Sequence, residues 1–370
     1  MTPLRLGIIG AGHLGRIHAR LAAGLPEFQL VAVVDPLAEA RKSIARETGA
    51  RAFEDHREVI GEIDAAVVAT PTAAHHAVAA ELLRAGVPVL VEKPLAPTLE
   101  QANQLVQLAR RQNLVLQVGH VERFNPALEL VARQVRDPRF IQATRTSGYS
   151  FRSTDIGVVL DLMIHDLDVV LSLVQSPVQQ VFALGVSVLG DHEDMAYAQL
   201  QFENGCVAQL TASRISYQSE RTLKIFTSRS FAAVDFATRT ATTVKPREDI
   251  LRRQWRADQL TADEREFFRQ HLFEQVLERT EQVAPANNAI EEELLDFARS
   301  IRTGREPRVS GAAGRDAIAV AEMILEKIES HAWDGNFAGR QGPFAMPALP
   351  IVPAALSLPG ITAQPQRKAG

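Results

Sequence analysis

Leu4-Arg5-Leu6-Gly7-Ile8-Ile9-Gly10-Ala11-Gly12-His13-Leu14-Gly15 is the stretch on which the fold turns. An apolar run of strand length, Leu4–Ile9, ends on glycines spaced Gly-x-Gly-x-x-Gly, and a helical pattern over Leu14–Leu25 begins among them. Gly10 permits a tight turn, Gly12 lets backbone approach a diphosphate, and Gly15 lets helix and strand pack closely. The free N–H groups of the first helical turn then face that diphosphate. Strand, glycines and helix agree, so Gly10, Gly12, His13, Leu14 and Gly15 are read as a dinucleotide cradle.

Asp35 closes the next apolar run, Leu30–Val34, about 20 residues on, where a carboxylate takes the adenosine ribose hydroxyls. It also suits the turn before Pro36, and the two roles are compatible. A carboxylate there repels a 2′-phosphate by about 4 kcal/mol per charge pair at close range and an effective dielectric near 20. Arg41 and Lys42 lie further along, inside the next helix, so NAD is expected in preference to NADP.

Outward from this start, strands alternate with helices: Ala38–Thr48, Ala65–Thr70, Ala73–Ala85, Val87–Glu92, Leu99–Gln112 and Val115–Gly119. Thr98 and Gln101 have capping-box spacing for the last helix. Such alternation implies right-handed crossovers and a doubly wound parallel sheet with both faces covered, ending near His120. Beyond Phe140 the rhythm changes. After a helical stretch over Asp161–Val174, the runs Val178–Leu189, Ala196–Phe202, Val207–Ile215, Leu223–Thr227 and Ala232–Phe236 follow one another. Asn204-Gly205 between two of them signals a hairpin. The second unit is thus α+β with a mostly antiparallel sheet. Arg247–Asn288 reads as charged helical pieces, Ile290–Arg302 and Arg315–Ile328 as amphipathic helices. The boundaries are 1–120 for the dinucleotide domain, 121–334 for the substrate and assembly domain, and 335–370 for a Pro/Ala/Gly-rich tail, flexible or draped over a partner subunit.

The 370 residues carry a net charge of -4 with signs interspersed, which excludes the basic stripe of a nucleic-acid binder. Cys206 is the single cysteine, so no internal disulfide forms and a reducing compartment fits. No leader or membrane-length apolar run is read, and a cytoplasmic location is expected. No metal is expected.

Glu92-Lys93-Pro94 sits at the carboxyl end of a parallel strand, where open α/β sheets bind ligands. Lys93 there reaches toward a substrate hydroxyl, and Pro94 fixes the turn, with a cis bond allowed. Asp161 and His165, four apart on a helix, share a face among apolar neighbours. That pair reads either as a helix salt bridge or as a base for an alcohol proton.

In order, the glycine motif, Asp35, Thr70-Pro71 with His75, Glu92-Lys93-Pro94 and the Asp161/His165 pair resemble the glucose–fructose oxidoreductase, inositol dehydrogenase and MocA family. The resemblance spans Leu4 to about Ile328. It implies a Rossmann domain followed by a domain with a large open sheet whose face mediates homodimers or homotetramers. It implies cofactor contacts from Thr70, Pro71, His75, Glu92 and Lys93 besides the glycine loop. His165 would be general base, Lys93 would hydrogen-bond the reacting oxygen, and Asp161 would place substrate and base. Many members carry glycine where this chain has Met163, which implies a reshaped pocket floor.

Gly119-His120-Val121-Glu122-Arg123-Phe124-Asn125-Pro126, with Arg152 and Asp155, is similar to a subgroup that oxidises UDP-N-acetylglucosamine at C3 to the ketone. The resemblance implies substrate contacts from Arg123, Phe124, Asn125 and Arg152. Arginine forks at 123 and 152 suit a diphosphate, and equally suit domain-interface ion pairs. Two alternatives stay open: a dehydrogenase of a free sugar or inositol, and a non-catalytic NAD-binding sensor.

Overall fold

The protein is described here from a computed structural model, which covers residues 2–151, 156–333, 335 and 339–345. Strands β1 (Leu4–Ile9), β2 (Phe28–Val34), β3 (Arg51–Phe53), β4 (Ala65–Val68), β5 (Val89–Glu92) and β6 (Leu116–Gly119) alternate with helices α1 (His13–Gly24), α2 (Ala38–Thr48), α3 (Thr72–Arg84) and α4 (Leu99–Gln112). They form one parallel sheet in the order β3-β2-β1-β4-β5-β6. This is the doubly wound order, and its switch point lies between β1 and β4, beside the glycine loop. Thr98 accepts from Gln101 N at 3.3 Å and starts α4 as its spacing predicts.

The second unit adds α5 (Pro126–Ala132), β7 (Pro138–Thr146), α6 (Ile164–Val174), β8 (Val178–Val186), β9 (Met195–Phe202), β10 (Val207–Ser213), β11 (Glu220–Thr227), β12 (Phe231–Asp235), β13 (Thr240–Pro246), α7 (Glu248–Leu251), α8 (Ala262–Gln270), β14 (Leu277–Val283), α9 (Ala289–Thr303) and α10 (Gly311–Glu329). Its eight-stranded sheet runs β14-β13-β12-β11-β7-β10-β9-β8, antiparallel except where β10 pairs with β7. The Asn204-Gly205 hairpin is present, with Gly205 at φ 83°. Met163, Leu167 and Val170 pack on Phe202, Leu210 and Ile225 of the sheet and on Ile324 of α10.

Four expectations need correction. β14 lies inside the segment read as helical pieces. Leu277-Glu-Arg-Thr-Glu-Gln-Val283 buries no apolar face and is almost wholly exposed, so backbone pairing to β13 at the sheet edge makes it a strand. β7 and β13 also went unread. Next, α9 does not belong to the second unit's core: Leu294, Phe297 and Ala298 pack with Leu6, Ile8 and Val33 of the first sheet. α10 bridges the two, with Ile318 in the first domain's core and Ile324 in the second's. At its start, Val118 N donates to Val309 O at 3.0 Å, so the returning chain joins the edge of the first sheet. Lastly, the tail begins inside the fold: Gln341 bridges Ala332, and Ser187 N donates to Pro343 O at 3.1 Å. The tail beyond 345 lies outside the described residues. No helix among the described residues is long and apolar enough to cross a membrane.

Candidate active site

The glycine loop is shaped by close contact. Gly10 has φ 103°, and a Cβ on Gly15 would sit 1.9 Å from Gly10 O. A Cβ on Gly12 would point into open space at the N-terminus of α1. Asp35 braces the loop, Oδ2 accepting from Ala11 N and Oδ1 from Leu37 N, both at 2.8 Å. The residues therefore fit a dinucleotide: bare N–H groups at a helix start, open space for a diphosphate and a carboxylate at the end of β2. The Arg41 guanidinium is tied down next to this turn, donating to Asp35 O, Pro36 O and Glu54. Replacing Asp35 with Ala is expected to improve NADP affinity relative to NAD by tenfold or more, about 1.4 kcal/mol. Fluorescence titration of both cofactors checks it; an unchanged ratio contradicts the role of Asp35.

At the ends of β5 and β6, Lys93, Asp161 and His165 meet at one cavity of about 270 Å³, which Leu14 and Glu92 also line. Lys93 Nζ donates to Asp161 O at 2.7 Å and to Oδ1 at 3.0 Å. Asp161 lies in a π-helical turn over Val159–Met163, in which Ile164 N bonds back to Val159 O. The turn is anchored by buried Glu193, which accepts from Val159 N at 3.0 Å. The Lys93-Pro94 bond is cis. His165 opens α6 and lines the same cavity, without a hydrogen bond to Asp161; the salt-bridge alternative does not hold, because Asp161 pairs with Lys93. Burial, reinforced by the charges of Lys93 and Arg145, holds the His165 imidazole well below its usual pKa, so it is neutral and able to accept a proton.

Beneath the cavity, Arg145 of β7 is clamped between Asp166 at 2.8 Å and Glu122 at 2.9 Å, all three buried. Although burial disfavours its charge, the two carboxylates raise its pKa. This clamp ties α6, and so His165, to the sheet; removing one partner of such a set costs about 3–5 kcal/mol. His18, Glu92 and Glu293 form a second buried group within 4.8 Å, the one set of metal-type donors among the described residues. His18 Nε2 and Glu92 Oε1 lie 2.7 Å apart. Burial and the Glu92 charge push the Glu293 carboxyl well up.

Several predicted contacts fall elsewhere. His75 is buried with its nitrogens 2.8 Å from Pro94 O and 2.9 Å from Thr70 O, so it staples two turns together behind the crevice. Thr70 and Pro71 stand at the start of α3, at the switch point. Arg123 pairs with Asp168 at 3.3 Å and donates to Arg308 O, outside the catalytic cavity, and all three residues lie within the second unit. Phe124 is core, under the Arg308 guanidinium, and Asn125 caps α5 by accepting from Ala127 N. Met163 is buried in the second domain's core, away from the cavity floor. Arg152 and Asp155 lie outside the described residues. Arg221, which sequence reasoning missed, does line the cavity. It is exposed, has no ion pair among the described residues, and stands directly across β7 from Arg145. A signal existed: Arg221 shares the strand parity of buried Leu223 and Ile225. A charge on the core-facing parity at a strand end must look into a cavity.

A glycine-loop parallel domain whose strand ends carry a lysine, joined to an α+β domain carrying a neutral histidine, defines a dinucleotide-dependent oxidoreductase. Residues 4–120 match the oxidoreductase family with an NAD-binding Rossmann fold, and residues 139–333 match that family's C-terminal α/β domain. The chain belongs to this family, the glucose–fructose oxidoreductase, inositol dehydrogenase and MocA group. It is 40% identical over 241 residues to a UDP-N-acetylglucosamine 3-dehydrogenase of Acidithiobacillus ferrooxidans, covering 65% of this chain and 76% of that one. A solved structure of the enzyme of that name and organism superposes with a TM-score of 0.78 at 33% identity, over 89% of this chain and 98% of that one. A scyllo-inositol 2-dehydrogenase (NAD(+)) of Bacillus subtilis is 30% identical over 233 residues, 58% of this chain and 68% of that one.

Proposed function

We propose that the protein oxidises a secondary hydroxyl of a nucleotide sugar, UDP-N-acetylglucosamine at C3, to the ketone. The observation that carries the reading is the meeting of Lys93, Asp161 and His165 at one cavity that reaches Leu14 of the glycine loop. Gly10, Gly12, Gly15 and Asp35 would hold NAD, which when bound supplies the acceptor for the hydrogen leaving the carbon with its electron pair. His165, neutral and half-buried, takes the hydroxyl proton. Lys93 donates a hydrogen bond to the same oxygen and stabilises its developing negative charge. Asp161 serves as the positioning carboxylate for Lys93 rather than for His165.

Arg221 supports an anionic substrate. Arg145, opposite it, is held by ion pairs to two carboxylates, whereas Arg221 makes no ion pair among the described residues and lines the cavity. A guanidinium fork matches phosphate oxygens. Replacing Arg221 with Gln is expected to raise KM for the UDP-sugar roughly 10- to 100-fold, from loss of about 1.5–3 kcal/mol, with kcat little changed. Initial-rate kinetics check it. An unchanged KM for the UDP-sugar, or turnover confined to free sugars and inositols, contradicts the nucleotide-sugar assignment. The cavity's intact base and lysine disfavour a purely sensory role.

Assembly as a homodimer or homotetramer through the second sheet is supported by apolar side chains left on its outer face. Phe140, Phe226 and Phe231 stack there, and Phe182 is 50% exposed beside Tyr197. Light scattering at micromolar concentration should give a multiple of the chain mass; a monomer overturns it. One buried cysteine supports a reducing, cytoplasmic setting.

A further inference from the structure

His120 belongs to the distinctive stretch that begins at Gly119, yet no step above uses it. It is 1% exposed, and neither ring nitrogen has a hydrogen-bond partner. A neutral imidazole carries one donor and one acceptor, and leaving both unmade in the interior costs about 1–3 kcal/mol each. Its ring meets the His165 ring edge-on, with centroids 6.2 Å apart and planes at 88°. His165 Nδ1 is likewise buried and unpartnered. Asp168 is buried too; its Oδ1 pairs with Arg123, and its Oδ2 has no partner. Unpaired donors and acceptors of three buried or half-buried residues thus lie near one another beside the base.

The base needs such a neighbour. A proton taken by His165 must leave again, because burial and the cations Lys93, Arg145 and Arg221 disfavour the imidazolium. The groups facing His120 are Asp168 and Glu92, which favour its protonation, and Lys93 and Arg123, which oppose it. On balance, burial keeps it neutral at rest, ready to accept.

Resting on the assignment of His165 as base, we propose that His120 is a positioning and proton-relay residue. The proton that His165 takes from the substrate hydroxyl passes to His120 across one bound water, and Asp168 Oδ2 balances the resulting charge. The O–H bond of the alcohol breaks and an N–H bond forms on His165; that N–H then breaks as one forms on His120, and the proton returns by the same water and His165 to the cavity when the ketone leaves. No oxidant beyond the dehydrogenase's own is required. At that ring separation the nitrogens lie beyond direct reach, and one water has the polar partners it needs to be held.

His120→Phe keeps the aromatic volume and removes both nitrogens. The expected result is a fall in kcat of about 100-fold, at the low end for loss of a proton-transfer group. KM stays near wild type, the solvent deuterium isotope effect on kcat rises, and the smaller variant His120→Gly regains activity with added imidazole. Wild-type kcat with an unchanged isotope effect in His120→Phe overturns the relay, as does a lower kcat that imidazole fails to restore. A second readout needs no turnover: water-to-protein NOEs on histidine-labelled protein without cofactor should show a bound water against the His120 ring. Absence of that water also overturns it. Failure of the base assignment is distinguished by His165→Asn, which would then retain full activity.

Discussion

His165→Asn is expected to lower turnover by about 10²- to 10⁴-fold, the usual worth of a positioned acid–base group. Asparagine keeps polar volume but cannot accept a proton at neutral pH. NAD affinity should stay within twofold of wild type, roughly, because the glycine loop and Asp35 follow β1 and β2 and are not part of α6. The direction of the His165 shift adds a pH signature. Its imidazole pKa is held below the ordinary 6.5 by burial and by Lys93. A base is active when deprotonated, so kcat/KM should be flat across neutral pH and fall only on the acid side of 6.5. His165→Asn should abolish that acid limb. Stopped-flow rates together with cofactor titration check the pair; normal turnover in the variant removes His165 from the chemistry.

The second large effect is structural. Gly15→Ala places a methyl carbon 1.9 Å from Gly10 O, a backbone atom that cannot swing aside. Strand β1 and helix α1 must separate, at about 1–3 kcal/mol or more, against a total stability on the order of 5–15 kcal/mol. The cradle shifts with them, so NAD binding and melting temperature should fall together. Gly12→Ala behaves differently. Its Cβ meets nothing in the protein, so the fold should melt as before while the methyl intrudes where a diphosphate would lie. A calorimetric scan and a cofactor titration of both variants separate the two effects. Equal NAD affinity in Gly12→Ala and the parent would mean the diphosphate lies elsewhere.

The parallel domain was legible because each signal there is local. Strand, glycines and helix adjoin in sequence, and the apolar runs of β4 and β5 are buried on both faces. The candidate site residues were legible in position as well, since Lys93 follows a strand end and His165 lies in the first turn of a helix. What bound Lys93 was not, because the π turn that carries Asp161 leaves no mark in the spacing. Arg123 misled for a related reason: the 3₁₀ turn Val121–Phe124 has no periodicity from which to tell which way an arginine leaves it. It turned toward Asp168 instead. Arg221 went unseen because β11 was read from Leu223 onward, two residues after the charge that reaches the cavity. β14 escaped because edge strands owe their conformation to a neighbour rather than to an apolar face.

The order of helices was misjudged where long-range packing decides. α9 and α10 follow the second sheet in sequence, yet α9 returns to the first domain through Phe297. That return brings Ile290 to the cavity wall and Glu293 beneath Glu92, so the far end of the chain completes the site. Nothing in the amphipathic pattern of α9 names the partner of its apolar stripe.

The most direct test follows absorbance of reduced nicotinamide when the protein and NAD are given UDP-N-acetylglucosamine, against free sugars and inositols. An aminotransferase with glutamate should be present to draw off the ketone. The account predicts reduction that requires the UDP-sugar and disappears in His165→Asn. No reduction with any sugar, in protein that still binds NAD, would contradict it.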